Sequence, residues 1–247
     1  MKKDVLPHCG QTIRDHDRDR FLLSLRAPAA KREALWALFA FNYEIAKTRA
    51  VVTETQLGHI RLQWWRDNIS ALYEGKEPSS NPVLSALATA IKTHDLPQAD
   101  FDALIYAREF DLENVPPAHM EGLEHYADFT TTPLHRMALQ ILGQDVAANI
   151  LRDVSTGYAL AGLLRAIPFH TAQGRNYMPD KVTVADICAH ADMLLRGGRG
   201  AKGFTGTAAR LGLYYTAKLQ KTDFDVQDVR GQSPPMSFII KEFFRIV

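Results

Sequence analysis

Helical periodicity is the feature that most restricts what this chain can fold into. In the stretch PAAKREALWALFAFNYEIAKTRAVV, residues 28–52, apolar side chains such as Leu35, Leu38 and Ile45 recur at helical spacing. That spacing puts them on one side of a helix, and Pro28 suits its first turn. Similar patterns follow along the chain, whereas the apolar/polar alternation that marks strands is not sustained in any segment. We therefore expect an all-α protein.

A second periodic stretch, residues 53–75, contains the string IRLQWWRD and predicts a helix that Gly75 closes. The apolar positions that carry this pattern are Leu57, Ile60, Leu62, Trp64, Trp65, Ile69 and Leu72. Further on, the glycine-rich, basic stretch RGGRGAKGFTG, residues 196–206, is expected to form a mobile loop. It lacks the residue order of a phosphate-binding loop.

Length and composition exclude several classes of protein. The 247 residues, 46% of them apolar, fit one domain spanning residues 1–247. A net charge of +1 gives no reason to expect a nucleic-acid partner. Cys9 and Cys188 have neither metal-site nor redox spacing, and no metal is expected. Without a signal peptide or a run of about 18 apolar residues, we expect a bacterial cytoplasmic chain, alternatively one peripheral at the inner membrane, or a trimmed protein of the mitochondrial matrix.

The stretch GYALAGLLRAIPFHTAQGRNYMP, residues 157–179, combines an apolar helix with a basic, polar end. From position 154 to 179 it contains no Asp or Glu, although polar side chains crowd its C-terminal half. Pro168 is expected to kink or end the helix there. The segment has the form of a functional helix end without a carboxylate.

Three segments, taken in order, resemble the squalene/phytoene synthase family of head-to-head prenyltransferases. They are FLLSLRAPAAKREALWALFAFNYEIAKTRAVV, HYADFTTTPLHRMALQILG and the carboxylate-free stretch at 157–179. The resemblance covers residues 18–179. It implies an isoprenoid-synthase fold, a single-domain helical bundle around a central apolar cavity. In active members of the family, two aspartate-rich motifs hold Mg²⁺ ions that bind the substrate diphosphate.

The aspartates of both motifs are replaced in this chain. Glu44 is the one acid left in the first motif, which supplies too few ligands for a magnesium cluster. The replaced positions are Ala46, Lys47 and Ala50 in the first motif and Ala166 and His170 in the second. The resemblance thus implies a degenerate family member with no cofactor, Mg²⁺ being expected only if the chain is an active enzyme.

Cationic and polar side chains remain around these positions. The candidate ligand-binding residues are Lys47, Arg165, His170, Arg175 and Tyr177, which could bind a phosphate or lipid head group directly. Two alternatives stay open. In the first, Arg165 and Arg175 would pair with acids elsewhere in the bundle. In the second, His170 would cap or pack against the end of its helix.

The stretch LGHIRLQWWRDNISALYEGK, residues 57–76, resembles one branch of the family, the proteins related to the mitochondrial respiratory complex I assembly factor. Two adjacent tryptophans on a helix cannot both point fully into a core. Arg61, Trp64, Trp65 and Arg66 are therefore a candidate partner-binding face, with packing and ion pairing along the helix as the alternative.

The resemblance implies a non-catalytic protein that assists the assembly of a respiratory membrane complex, with complex subunits or another assembly factor as partners and a lipid or prenyl chain as ligand. An active prenyltransferase for farnesyl or geranylgeranyl diphosphate is one alternative, with Glu109, Asp111 and Glu113 as its metal ligands. A carrier of an isoprenoid or lipid is the other. The aromatic C-terminal stretch, with Phe238, Ile239, Phe243 and Phe244, is expected to pack, or to contact a membrane surface as an amphipathic helix.

Overall fold

The computed structural model describes residues 6–113, 115–229 and 234–244. Over these residues it contains twelve α-helices, a short 3₁₀ helix at Val226–Val229 and no β-strand, which confirms the all-α prediction. The helices are α1 His8–His16, α2 Arg18–Leu25, α3 Ala29–Ala46, α4 Thr48–Val51, α5 Thr55–Tyr73, α6 Pro82–His94, α7 Gln98–Glu113, α8 Met120–Leu142, α9 Ala148–Ala172, α10 Val184–Gly198, α11 Gly203–Lys221 and α12 Met236–Phe244.

The helices form two compact units. The first comprises Met1–Glu113 and Arg136–Asp145, and the second comprises Asn114–His135 and Val146–Val247. Helix α8 contributes to both, because its residues up to His135 belong to the second unit and the rest to the first. One domain spanning the whole chain stays a prediction.

An aromatic cluster lies in the core of the first unit. The ring of Phe41 on α3 makes edge contacts with Trp65 on α5, at 5.5 Å, and with Phe101 on α7, at 5.2 Å between centroids. All three side chains are buried. Edge-to-face pairs add to the free energy gained from burial, so this cluster holds α3 and α5, the helices that carry the first motif and IRLQWWRD, in fixed register.

Helices α9, α10 and α11 pack against one another in the second unit. Leu160 and Leu164 of α9 share a buried cluster with Cys188 and Ala191 of α10. At Gly157 the helices approach so closely that a Cβ atom would lie 2.8 Å from Cγ of Leu195. Helix α9, which carries the carboxylate-free stretch from Gly157 onward, is thus built into the core along most of its length.

The glycine-rich stretch at 196–206 does not form the predicted loop. Helix α10 extends to Gly198 and α11 starts at Gly203, so the connection is four residues long. Its glycines allow close packing instead: a Cβ on Gly198 would lie 2.0 Å from Val154, and one on Gly206 would lie 1.7 Å from the carbonyl oxygen of Ala201. Sequence composition alone does not separate such packing glycines from loop glycines.

None of the helices in the described ranges is long and apolar enough to cross a membrane. At the C-terminus, Phe238 and Ile239 are half-buried on α12. The side chains of Phe243 and Phe244, which the predicted amphipathic face also includes, lie outside those that the structure describes.

Candidate functional site

The first motif lies at the junction of α3 and α4. Ala46 is the last residue of α3, Lys47 connects the two helices, and Ala50 is exposed on α4. Glu44, one turn before the junction, accepts hydrogen bonds from two cations: Lys47 Nζ at 2.5 Å and Arg61 Nη2 at 2.8 Å. Each carboxylate oxygen of Glu44 therefore has a cationic donor of its own.

This ion-pair cluster of Glu44, Lys47 and Arg61 is half-buried and carries one net positive charge. Lys47 Nζ also lies 5.0 Å from the ring centroid of Tyr43, whose other neighbour is the stacked ring of His16 at 4.7 Å. A divalent cation would have to displace both cations from Glu44 and would meet their repulsion. The cluster therefore suits an anion better than a metal ion.

Arg165, at the second motif, packs against an aromatic ring. Its guanidinium carbon lies 3.7 Å from the centroid of Tyr215, a buried residue of α11. Stacking of this kind fixes the plane of the guanidinium group through a cation–π contact. Ala166, the next residue, is half-buried on α9 and presents only a methyl group where the motif has a carboxylate.

Of the two outcomes predicted for Pro168, a kink or an end of the helix, α9 does not end there, and the kink stays a prediction. Helix α9 continues to Ala172, with Pro168 buried in its interior. It then ends in a Schellman motif: Gly174 has a φ of +68°, its N–H bonds to Thr171 O at 3.0 Å, and the Arg175 N–H bonds to His170 O at 2.9 Å. The bonds of this motif join backbone groups, so a capping role for the His170 side chain stays a prediction.

The His170 ring packs against aromatic neighbours. Its centroid lies 4.6 Å from that of Tyr177, which in turn lies 5.8 Å from Tyr126 on α8. His170, Arg175 and Tyr177 thus come together around a small cavity of about 20 Å³, enough for about one water molecule. A cavity of this size is too small for a phosphate group. Lys47 belongs to the other unit.

The predicted partner face divides into buried, paired and exposed residues. Trp65 is 1% exposed and Trp64 is 41% exposed, as expected if only one ring of an adjacent pair enters the core. The two rings contact each other edge to face, with centroids 5.0 Å apart. Arg61 bonds to Glu44, and Arg66 bonds to Glu109 Oε1 at 2.8 Å. Trp65 is therefore excluded from any binding surface.

An apolar stripe runs along the exposed side of α5 instead. It consists of Leu57, Ile60 and Trp64, with exposed fractions of 47%, 60% and 41%. Positions i, i+3 and i+7 lie on one face of a helix. The sequence pattern counts Leu57 and Ile60 among the apolar positions of the helix, and it places Trp64 in the predicted partner-binding face as well. Leu62, Trp65 and Ile69 recur at the same helical spacing on a different side of α5. This second set of apolar positions is the signal that distinguishes the core side of the helix from its exposed side.

The three acids proposed as alternative metal ligands are each close to a different basic side chain. Glu109 contacts Arg66, Asp111 lies 3.4 Å from Arg108 Nη1, and Glu113 lies 3.6 Å from His59 Nε2. Within the described parts of the chain, no group of three or more His, Cys, Asp or Glu side chains is arranged to hold a metal ion. Glu109 and Glu113 thus pair across the α5–α7 contact, whereas Asp111 pairs within α7.

Comparison with known proteins gives matches over most of the chain. The family model described as squalene/phytoene synthase matches residues 13–212. The bovine (Bos taurus) protein "NADH dehydrogenase (ubiquinone) complex I, assembly factor 6" is 31% identical over 183 residues, covering 73% of this chain and 53% of that protein. "Presqualene diphosphate synthase" of Rhodopseudomonas palustris is 29% identical over 158 residues, covering 63% of this chain and 56% of that protein.

Among solved structures, a dehydrosqualene synthase crystallised with a ligand superposes with a TM-score of 0.78 at 15% identity, covering 96% of this chain and 93% of that one. The similarity identifies the fold as the isoprenoid-synthase type. The chain spans little more than half the length of the curated relatives it matches.

Proposed function

This chain belongs to the squalene/phytoene synthase family, and we propose that it is a member without prenyltransferase activity that takes part in assembling a respiratory membrane complex. The relatives named as complex I assembly factors support the assembly role, and their matches are longer than those of the presqualene diphosphate synthases. Complex subunits or a second assembly factor would be its partners.

One observation carries the non-catalytic part of this proposal, namely the double pairing of Glu44. The family's chemistry requires carboxylates to hold Mg²⁺ against a diphosphate. In this chain the remaining acid is engaged by Lys47 and Arg61, and the other motif positions carry methyl groups, an amine and an imidazole. A side chain already bound by two cations makes a poor ligand for a third.

The apolar stripe of Leu57, Ile60 and Trp64 is the surface that we propose for the partner. Tryptophan is enriched at the energetic centres of interfaces, where it combines a large apolar area with one N–H donor. Three neighbouring apolar side chains on one face of a rigid helix match the helix-docking mode of recognition. Arg61 and Arg66, bound to acids of the same unit, would flank the stripe.

Binding of a lipid or prenyl chain stays a prediction for Lys47, Arg165, His170, Arg175 and Tyr177, as do the bacterial or mitochondrial location and a peripheral membrane contact. Arg165 stacks on the ring of Tyr215, and this cation–π contact fixes the plane of its guanidinium group. An isoprenoid or lipid carrier would use these same residues.

The first test separates catalysis from assembly. The purified protein is titrated with farnesyl and geranylgeranyl diphosphate, with and without Mg²⁺, by calorimetry together with an assay for released diphosphate. We expect no release of diphosphate under any condition. Magnesium-dependent turnover would contradict the proposal and favour an active prenyltransferase.

The second test addresses the partner surface. Cells that lack this protein are complemented with the wild type, with Ile60→Asp/Trp64→Asp or with Phe110→Asp, and the amount of assembled complex I is measured. Phe110 is a matched control because it is similarly exposed, on the neighbouring helix α7. We expect assembled complex I to be lost with Ile60→Asp/Trp64→Asp and to be kept with Phe110→Asp. Full assembly with Ile60→Asp/Trp64→Asp would exclude the stripe as the partner surface.

A further inference from the structure

A large groove lies between α10, α11 and α12, in the second unit. Its volume is about 510 Å³, within the range of small-molecule sites in proteins. Both charged or polar and apolar residues line it. The cationic residues are Arg196, Arg199, Arg210 and Lys241, and the main apolar ones are Leu213, Tyr214 and Phe238.

This groove is separated from the second motif by the body of α11. Arg210, Tyr214 and Ala217 of α11 line the groove and lie on one helical face. Tyr215 and Leu219, on the opposite face, are buried, and Tyr215 carries the stacked guanidinium of Arg165. A ligand in the groove would therefore be on the other side of α11 from the residues that resemble the family's catalytic helix.

The acids that line the groove are already paired. Asp192 accepts hydrogen bonds from Arg196 Nε, at 2.5 Å, and from the Thr216 hydroxyl, at 3.2 Å. Glu242 accepts two from Arg210 Nε, and Nη2 of the same guanidinium lies 2.8 Å from it. For Arg199 and Lys241 the described part of the chain supplies no carboxylate within ion-pairing distance. The groove thus has two uncompensated positive charges.

Arg210 holds the walls of the groove in place. Besides its bonds to Glu242 on α12, its Nη1 donates to the carbonyl oxygens of Arg199, at 3.1 Å, and Ala201, at 3.3 Å. The Glu242 side chain is buried, and 11% of the Arg210 side chain is exposed. These bonds fix α12 and the turn at 199–202 relative to α11, so the groove is organised before any ligand binds.

We propose that this groove is a binding site for a phosphate group attached to an apolar body, with Arg199 and Lys241 binding the phosphate. Arginine binds phosphate through charge-assisted, often bidentate hydrogen bonds, and lysine adds a point charge. The rings of Tyr214 and Phe238, 5.3 Å apart, form an apolar wall for the rest of the ligand. The site does not depend on the proposed assembly role, because it uses none of the α5 stripe or the motif residues.

The test is calorimetric titration of the full chain with short-chain, soluble dihexanoylphosphatidylglycerol, with dihexanoylphosphatidylcholine and with inorganic pyrophosphate. Variants are Arg199→Gln/Lys241→Gln and, as a control for charge loss elsewhere, Lys92→Gln. Arg199, Lys241 and Lys92 are all exposed, so the variants are expected to fold. Thermal unfolding by circular dichroism checks this.

We expect the double variant to bind phosphatidylglycerol at least about tenfold more weakly, because it lacks both cationic hydrogen-bond donors to the phosphate. Lys92→Gln should bind as the wild type does. If pyrophosphate binds as tightly as phosphatidylglycerol, and the double variant weakens the binding of both equally, the site is assigned to a free phosphate ligand. Pelleting with phosphatidylcholine vesicles containing phosphatidylglycerol would assign it to a lipid head group. An unchanged affinity in the double variant, or no binding of either anion, would overturn the proposal.

Discussion

The guanidinium of Arg61 donates a hydrogen bond to the Glu44 carboxylate across 2.8 Å, and so connects α5 to the end of α3. Two features that look separate in the sequence, the remaining acid of the first motif and the arginine of IRLQWWRD, are therefore one ion pair. The arginine faces into the first unit. Its neighbour Trp64, three positions on, is exposed.

A double-mutant cycle on this pair should measure a favourable coupling. Replacing Glu44 by Gln, Arg61 by Gln, and both together should give an interaction energy of at most about 1 kcal/mol, because both groups are partly solvated. Urea unfolding of the wild type and the three variants gives the four free energies. Additive effects within error would mean that the pair contributes nothing to stability.

The adjacent tryptophans should differ sharply when each is replaced. Trp65→Ala removes a fully buried ring that contacts Phe41, and is expected to cost about 3–5 kcal/mol. Trp64→Ala, on the exposed side of the same helix, should change the free energy of unfolding by only about 0.5 kcal/mol. Urea unfolding checks both. A Trp64→Ala variant as unstable as Trp65→Ala would place Trp64 in the core instead.

Local helix signals were predictable from the sequence. Asn81 caps α6, whose first residue is Pro82, because its side-chain oxygen accepts hydrogen bonds from two backbone N–H groups. Gly75 follows the end of α5 with a φ of +78°. Capping depends on residues close in sequence, so composition and spacing reveal it. The family resemblance then supplied the isoprenoid-synthase fold that the structural comparison shows.

The pairing of the site residues was not predictable in the same way. Arg61 is 17 positions from Glu44 and could equally have faced solvent, because an ion pair between helices depends on their packing. The helix also continues through Pro168, where tertiary contacts outweigh the lost hydrogen bond. The groove on α11 was missed because it combines residues from three helices, and no local pattern marks it.

Two glycines of the second-motif segment should respond in opposite directions to alanine. Gly174→Ala forces an L-residue into a φ of +68° and should destabilise the protein by about 1 kcal/mol. Gly162 lies within α9, and no described atom is close to the position that a Cβ would take. Gly162→Ala should therefore stabilise the protein by up to about 1 kcal/mol. Thermal unfolding gives both values. A stabilising Gly174→Ala would contradict the Schellman geometry.

The two thiols should be unreactive until the protein unfolds. Burial raises the pKa of the Cys9 thiol to about 11, and burial with the nearby Asp192 charge raises the pKa of Cys188 to about 11. Both are therefore protonated at pH 8, and the thiolate is the reactive form. Because these pKa values exceed the usual 9.0, the unfolded state binds fewer protons than the folded state between pH 9 and 11. The free energy of unfolding should therefore fall as the pH rises from 9 to 11.

Reaction with a coloured disulfide reagent measures this directly. Cys9 lies in the first unit and Cys188 in the second, so single Cys9→Ala and Cys188→Ala variants report on the opening of each unit separately. Slow labelling at pH 8 that accelerates in urea is expected. Rapid labelling of either thiol in the native protein would show that it is accessible.

The pair of Arg210 and Glu242 allows a test of the contact that holds α12. Arg210→Met leaves the Glu242 carboxylate buried without its guanidinium partner, and should cost about 3–5 kcal/mol. The double variant Arg210→Met/Glu242→Met removes both charges and should recover most of that loss, although the bonds from Arg210 to the carbonyls of Arg199 and Ala201 are still missing. Urea unfolding of the wild type, of Arg210→Met, of Glu242→Met and of the double variant measures the recovery. If Arg210→Met alone is as stable as the wild type, Glu242 is solvated and α12 is not held by this pair.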